Sequence, residues 1–427
     1  MQRMIRATLA AVVAGAAAVL AVAGPAHAAQ PLPVSFHAYT SSTDFDSGAY
    51  EGARLAKGGG ALVYGSSVGS LAYSDAYGSP ARTYSYARWT SPAYTTGFGF
   101  TELVSSWNAD TPAGTWIQVE MQALTDRATW TKWYTMGRWA SGDGDIRRNS
   151  VGGQGDADGY IAIDTFFAKD HPLTSYRLRV TLYKLPGTSA GPTVRSVAAV
   201  ASDMPNAKPY VPSPLGGAEG IELAVPRYSQ EIHTGEYPQF DGGGEAWCSP
   251  TSTSMVVAYW GRGPAPADYA YVLQDYPSVV DPWVDFAAAR TYDYHYQGAG
   301  NWPFNTAYAS TFGLDAEVTQ LRSLNEAELF VKAGIPLVAS IAFQPNKLTG
   351  FLFRGTDGHL LTIVGFTASG DVISDDPASA SDDTVRHVYD RTEFERAWLT
   401  ATGGIVYVIH PASVPLPPPA VPSQPSW

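Results

Sequence analysis

The pattern of hydrophobic and polar residues differs between the two halves of the chain. Over residues 34–185 apolar and polar positions alternate, with Gly, Ser and Asp at short intervals. Within residues 116–124, for instance, Ile117 to Ala123 alternates strictly between apolar residues and Gln or Glu. Half-buried strands have this period of two. Residues 29–187 are therefore predicted to form an all-β domain, a β-sandwich or jelly roll.

The second half mixes helical and strand patterns. Apolar residues recur at helical spacing after Cys248, residues 324–332 have helical character, and residues 335–342 form an apolar run typical of a central strand. These patterns predict an α+β domain over residues 220–411.

Two segments lack sustained periodicity. Residues 188–219 repeat Pro, Gly, Ser and Ala, which predicts an interdomain linker. Residues 412–427 contain a proline run at 415–419, which predicts an extended, polyproline-like tail.

The first 28 residues have the features of a secretory signal peptide. Arg3 and Arg6 form a basic start, residues 9–23 are apolar and uncharged, and Ala26-His27-Ala28 is a small-x-small cleavage site. The apolar run is shorter than the roughly 20 residues of a membrane span, and no later stretch supplies one. We expect a secreted, extracellular protein without a membrane span.

Charge and aromatic content limit the range of partners. With 39 acidic and 27 basic residues the net charge is −12, which argues against nucleic acid as a partner because phosphate backbones need clustered Lys and Arg. An aromatic cluster in the first half predicts either core packing, which strand propensity favours, or a surface that stacks on cell-wall glycan. Its members are Trp107, Trp116, Trp130, Trp133, Tyr134 and Trp139.

Two Asp-rich loops, at 143–145 and 156–159, contain oxygen ligands of the kind that Ca²⁺ accepts. Neither completes an EF-hand loop, and turn chemistry explains them better. No metal or organic cofactor is predicted.

Cys248 is the only cysteine of the chain, so an exported protein cannot use it for an internal disulfide. A free cysteine is usually a small buried hydrophobe. This one, however, follows a Gly-rich loop at 241–244 and starts a predicted helix in which Pro250 suits the first turn. A helix N-terminus stabilises a thiolate, which favours a nucleophile.

A base for this nucleophile is expected downstream. His359 opens the apolar run 360–366, which is followed by a turn and by a second short run that ends at Asp375 and Asp376. A β-hairpin of this kind brings one of the two aspartates near His359. The other histidines, His233, His295, His387 and His410, lack such a context, although His295 lies among tyrosines and is expected to border a substrate cleft.

The order of helix-start Cys, strand-start His and hairpin-end Asp resembles that of papain-like enzymes. Residues 221–410 resemble the C39-like peptidases in particular. The matching motifs are Val-Pro-x-Tyr-x-Gln at 225–230, Cys-x-Pro-x-Ser at 248–252, Gly-His and its strand at 358–366, and Asp-Pro at 376–377.

The resemblance implies a papain-like fold and a role for each matching residue. Cys248 would be the nucleophile, His359 its base and Asp376 the group that orients the imidazole, with Asp375 as its rival. Gln230 and the Cys248 backbone N–H would stabilise the oxyanion. The family commonly has Gly where this chain has Ser249, and a side chain there could narrow the approach to the thiol.

The favoured function is that of a secreted bacterial cysteine peptidase, which hydrolyses peptide or amide bonds of a peptide or protein substrate. One alternative is a non-catalytic cell-surface or glycan-binding module with a degenerate papain-like scaffold. A second alternative is an acyl transferase or a peptidoglycan amidase, because the same residues serve either reaction.

Overall fold

A computed structural model describes residues 32–204 and 210–427. The expected signal peptide, residues 1–28, lies outside the described residues. Among the helices of the described residues, none is long and apolar enough to cross a membrane.

The described residues form twenty strands and seven α-helices. The strands are β1 Val34–Tyr39, β2 Ala49–Glu51, β3 Ala53–Leu55, β4 Leu62–Tyr64, β5 Gly69–Tyr73, β6 Arg82–Thr90, β7 Tyr94–Phe100, β8 Glu102–Asp110, β9 Thr115–Thr125, β10 Tyr134–Trp139, β11 Gly159–Ala162, β12 Thr165–Ala168, β13 Leu173–Lys184, β14 Thr193–Ser202, β15 Asp315–Gln320, β16 Leu337–Phe343, β17 Thr356–Phe366, β18 Val372–Asp375, β19 Arg386–Tyr389 and β20 Ile405–His410. The helices are α1 Ser42–Asp46, α2 Cys248–Tyr259, α3 Ala270–Asp275, α4 Pro282–Thr291, α5 Trp302–Ser310, α6 Leu324–Lys332 and α7 Arg391–Thr402.

The N-terminal domain is rich in strands, which form two antiparallel sheets. One has the order β11-β12-β8-β14-β4-β3, with β1 beside β14, and the other has the order β10-β9-β13-β6-β2, with β5 beside β6 and β7 beside β13. Side chains of both sheets share one hydrophobic core. The apolar face predicted for β9 is confirmed, since Ile117, Val119, Met121 and Ala123 are fully buried.

The N-terminal domain extends further along the chain than its alternating pattern suggested. Strand β14 lies within the predicted linker, 188–219, and pairs with both β8 and β1. Its Val197 and Ala199 are fully buried. The strand resembled a linker in sequence because it is buried on both faces, so that its apolar and polar positions do not alternate.

Most of the aromatic cluster belongs to the core of the N-terminal domain. Trp107, Trp116, Tyr134 and Trp139 are buried. Trp133 is half-buried and lies under the guanidinium groups of Arg177, at 5.2 Å, and Arg179, at 4.1 Å. Trp130 also lies under Arg177, at 4.4 Å.

The C-terminal domain has an α+β architecture around a six-stranded antiparallel sheet of order β15-β20-β16-β17-β18-β19. The predicted helix at 324–332 is confirmed as α6. The predicted central strand is β16, which lies between β17 and β20. Helix α2 packs against β17, and this contact positions the candidate site.

The two domains pack together through shared apolar clusters. Phe304 of α5 lies in the core of the N-terminal sheets, and Val34 packs in a cluster with Val256 of α2. The side chain of Asn108 donates to the Ala316 carbonyl at 2.6 Å and accepts from its N–H at 2.9 Å. Asn108 thus satisfies the backbone of edge strand β15.

The C-terminal segment predicted as a tail packs on both domains. The carbonyl of Pro425 accepts from the Phe36 N–H at 2.9 Å. This backbone hydrogen bond joins the segment to strand β1. The Trp427 ring lies edge-on to Phe330, with 4.9 Å between ring centroids. The extended backbone of this segment therefore covers apolar surface.

Candidate functional site

Cys248 is the first residue of α2 and is half-buried. The helix has no side-chain N-cap, because Trp247 occupies the cap position. The backbone N–H groups of a first helical turn have no acceptor within the helix, and they carry the positive end of its dipole. The thiol therefore lies where a negative charge is favoured.

Small hydroxyl side chains let α2 approach β17 closely. One turn after Cys248, Ser252 donates to the carbonyl of Leu360 at 3.3 Å. Residues four apart lie on the same face of a helix, and Leu360 directly follows His359. This contact brings the cysteine and the histidine close enough for Cys248 to raise the pKa of His359.

A second hydrogen bond holds the far side of the imidazole. His359 Nε2 lies 2.8 Å from Asp376 Oδ1, and both side chains are buried. Asp376 Oδ1 also accepts from the Ala378 N–H at 3.1 Å, and Oδ2 accepts from the Tyr389 hydroxyl at 2.8 Å. Because Nε2 is bonded to Asp376, Nδ1 is the ring nitrogen that remains for the thiol.

The electrostatics of the pair favour a charged imidazole. Burial by itself lowers the pKa of His359, but the charge and hydrogen bond of Asp376, together with Cys248, outweigh burial and raise the pKa to about 10. Burial raises the pKa of Asp376, but His359 and Tyr389 outweigh burial and hold this pKa below its ordinary value. An imidazolium paired with the Asp376 carboxylate is the expected ground state.

Asp375, the rival of Asp376, lies away from His359. It is buried, and its Oδ1 is 3.4 Å from Arg227 Nε. Burial raises the pKa of Asp375 to about 7, which Arg227 only partly offsets. The hairpin register explains the difference: Asp375 is still paired with Thr362 in β18, whereas Asp376 is the first residue beyond the strand.

Gln230 is buried beside this cluster, and its backbone N–H donates to the Pro377 carbonyl at 2.8 Å. Its side-chain Nε2 donates to the Glu245 carbonyl at 2.6 Å and to Glu231 Oε1 at 3.0 Å. Both amide hydrogens are thus engaged in this state. For Gln230 to serve an oxyanion, the contact with Glu231 has to be exchanged for one with substrate.

Ser249 does not narrow the approach to the thiol. It is fully buried, and its hydroxyl lies 2.8 Å from the Tyr407 hydroxyl of β20. The side chain therefore points into the sheet, where a glycine would leave Tyr407 without this partner.

The loop 293–298 contains His295, which was expected to border a substrate cleft, but sequence reasoning missed that the N-terminal domain holds this loop. Buried Asp293 accepts from the Ser150 N–H of that domain and from the His295 N–H, at 3.0 and 2.9 Å. His295 Nδ1 lies 2.7 Å from the Tyr77 hydroxyl. Tyr296 is exposed, and the Cys248 charge adds to burial in raising the pKa of its hydroxyl.

An apolar surface also lies next to His359. The Phe351 ring is edge-on to the imidazole, with 5.4 Å between centroids, and Phe353 follows at 6.4 Å. Leu352 and Phe353 are exposed, at 41% and 46%. In the sequence, the available signal was the short apolar run at 351–353. Its proximity to His359 in the structure is what connects this run with the candidate site.

Protein groups pair with the aspartate carboxylates of the Asp-rich loops. Asp143 pairs with buried Arg148 at 2.6 Å, and Asp145 accepts from the Gly114 N–H at 2.7 Å. Asp156 accepts from the N–H groups of Asp158 and Gly159 within its own turn. These contacts agree with turn and packing roles for the loops.

A cysteine at a helix start, beside an imidazole that a carboxylate holds, is the arrangement of cysteine hydrolases of the peptidase type. Residues 222–406 match the model of the Peptidase_C39 like family, and residues 35–202 match that of the Peptidase C39 N-terminal domain. The C-terminal domain therefore belongs to the peptidase C39-like family, as the motifs suggested. No curated protein matches the chain.

Proposed function

We propose that the protein is a secreted cysteine peptidase that cleaves peptide or amide bonds with Cys248, His359 and Asp376. The observation that carries the proposal is the hydrogen bond of 2.8 Å between His359 Nε2 and Asp376 Oδ1, beside the Cys248 thiol that opens helix α2. Membership in the peptidase C39-like family supports a peptidase-type hydrolase.

The proposed reaction follows from the charges of the site. The Cys248 thiolate attacks the substrate carbonyl, and the resulting oxyanion accepts from the Cys248 backbone N–H and from Gln230 Nε2. The His359 imidazolium protonates the leaving amine, and the acyl thioester is then hydrolysed by a water from which His359 takes a proton. Asp376 keeps the imidazole oriented throughout.

The proposal includes a papain-like arrangement of the C-terminal domain. It also includes a β-sandwich architecture and an accessory role for the N-terminal domain. Two sheets that share one core support the sandwich architecture. Export through the signal peptide at 1–28 belongs to the same proposal. N-terminal sequencing of the protein recovered from culture medium should begin at residue 29.

Hydrolysis of a peptide library by the purified protein, analysed by mass spectrometry, tests the reaction. Cys248→Ala and His359→Ala should abolish cleavage, whereas His171→Ala, a partly exposed histidine of the N-terminal domain, should leave it unchanged. Added amine acceptors separate hydrolysis from acyl transfer, since a transferase would yield amine adducts. Absence of cleavage and transfer together would favour a non-catalytic binding module.

A further inference from the structure

A second histidine–carboxylate cluster lies in the C-terminal domain, outside the proposed reaction. His233 ends the short 3₁₀ turn Glu231–His233, Glu236 follows three residues later, and Asp285 lies in the first turn of α4. His233 Nδ1 is 2.8 Å from Glu236 Oε2 and 3.0 Å from Asp285 Oδ2. One ligand atom of each residue lies within 4.8 Å of the others.

The polar atoms of this cluster are incompletely paired. A ring nitrogen carries at most one hydrogen, yet two carboxylates approach Nδ1, and only Glu236 meets it with hydrogen-bond geometry. Within the described part of the chain, neither oxygen of Asp285 has a hydrogen-bond partner, and neither has His233 Nε2. Both side chains are fully buried. Buried charges are normally paired or coordinate a metal.

The charge and donor atoms of the cluster match those of a transition-metal site. The cluster offers two carboxylates and one imidazole as donor groups. An imidazole nitrogen with carboxylate oxygens suits Zn²⁺, whereas Ca²⁺ takes six to eight oxygen ligands. Tetrahedral zinc bonds of about 2.0–2.2 Å place neighbouring donors about 3.3–3.6 Å apart, a few tenths of an ångström wider than the 2.8 and 3.0 Å that separate Nδ1 from the two carboxylates.

The surroundings leave access on one side. The Glu236 side chain is 16% exposed, whereas the side chains of His233 and Asp285 are fully buried. A solvent ligand can therefore complete the coordination from the side of Glu236. The Trp247 ring lies 6.1 Å from the imidazole, so the cluster is next to the residue that precedes Cys248.

We propose that His233, Glu236 and Asp285 bind one divalent transition-metal ion, Zn²⁺ being the best match, in a structural site. The ion would tie the turn that follows Gln230 to helix α4. His233 N–H donates to the Gln230 carbonyl at 3.1 Å, so the same ion would stabilise the backbone that carries Gln230.

Zinc titration of the full chain in a Cys248→Ala background tests the site, because a thiol beside His359 could itself bind zinc. After removal of metal with EDTA, we expect one equivalent of Zn²⁺ per chain. Asp285→Asn and Glu236→Gln should each weaken binding about tenfold or more. His171→Gln, which alters a histidine 3.5 Å from Asp158, is the matched control and should change nothing.

A Co²⁺ absorption spectrum keeps the test independent of variant folding. Bound Co²⁺ in the Cys248→Ala protein should give the visible bands of nitrogen and oxygen ligation, and Zn²⁺ should displace it. Uptake below stoichiometry, or uptake that Glu236→Gln and Asp285→Asn leave unchanged, would overturn the metal site. Since the background lacks the proposed nucleophile, this result is independent of peptidase activity.

Discussion

The two histidine–carboxylate clusters of the C-terminal domain differ in how completely their polar atoms are paired. Asp376 has both oxygens hydrogen-bonded, to His359, Ala378 and Tyr389. Asp285 has neither oxygen hydrogen-bonded within the described residues. A fully paired carboxylate fixes the imidazole for proton transfer, whereas an unpaired one keeps its lone pairs for a ligand. The same residue types therefore have different roles.

Gln230 connects the two clusters through its backbone. Its N–H donates to Pro377, the residue after Asp376, and its carbonyl accepts from the N–H of His233. A change in either cluster is thus expected to reach the oxyanion donor. The predictions below separate direct effects on chemistry from effects transmitted through this backbone.

The largest effect is expected from Asp376→Asn. Without the carboxylate, the imidazole loses its charge partner and its fixed orientation, and kcat/KM should fall by about 10³ to 10⁴. Asp285→Asn, the matched change in the other cluster, should lower it less than about tenfold. Peptide hydrolysis by both variants measures the difference, and equal losses would contradict the division of roles.

Stability should depend on pH through His359. Its pKa is raised from 6.5 to about 10 in the folded chain, so the folded state binds the proton more tightly than the unfolded state. This stabilisation is fully present below about pH 6.5 and is lost as the pH rises towards 10. Urea unfolding at pH 6 and pH 10 should show a larger loss for the wild type than for His359→Gln.

Tyr389→Phe removes one of the three donors to Asp376. Hydrogen bonds to charged groups contribute about 1.5–3 kcal/mol, but Ala378 still holds the carboxylate. We expect kcat to fall about tenfold with KM unchanged, because the hydroxyl lies behind Asp376 and away from substrate. A change in KM alone would assign Tyr389 to binding instead.

The smallest effect on activity is expected from Asp375→Asn. The folded state favours protonated Asp375, whose pKa is about 7. Its proton stabilises the fold below about pH 3.8, and this contribution is lost as the pH rises through 7. Asparagine resembles the neutral form, so at pH 8 the variant should unfold at equal or higher urea concentration, with activity within twofold of wild type.

Sequence patterns were most informative where periodicity and chemistry coincide. The alternation in β9, the helix α6 and the start of α2 at Cys248 follow from local patterns. The pairing of His359 with Asp376 rather than Asp375 depends on where β18 ends, and a one-residue difference in a strand reverses the direction of a side chain. The sequence therefore left both aspartates as candidates.

Other features depend on contacts between distant segments. Tyr389 reaches Asp376 from a third strand, and the N-terminal domain holds Asp293 through Ser150. His233 had no distinguishing context in sequence, because Asp285 is contributed by a separate helix. Strand β14 was assigned to a linker, since it is buried on both faces and therefore lacks the alternation that identifies a half-buried strand.

Alkylation of Cys248 by iodoacetamide tests the central claim most directly, because every label on this chain reports on its one cysteine. The rate at pH 6 would be compared between the folded and urea-unfolded chain, for wild type and for His359→Ala. The account predicts that folding accelerates labelling of the wild type at least about tenfold and that His359→Ala loses this acceleration. Equal rates for the two folded proteins would contradict it.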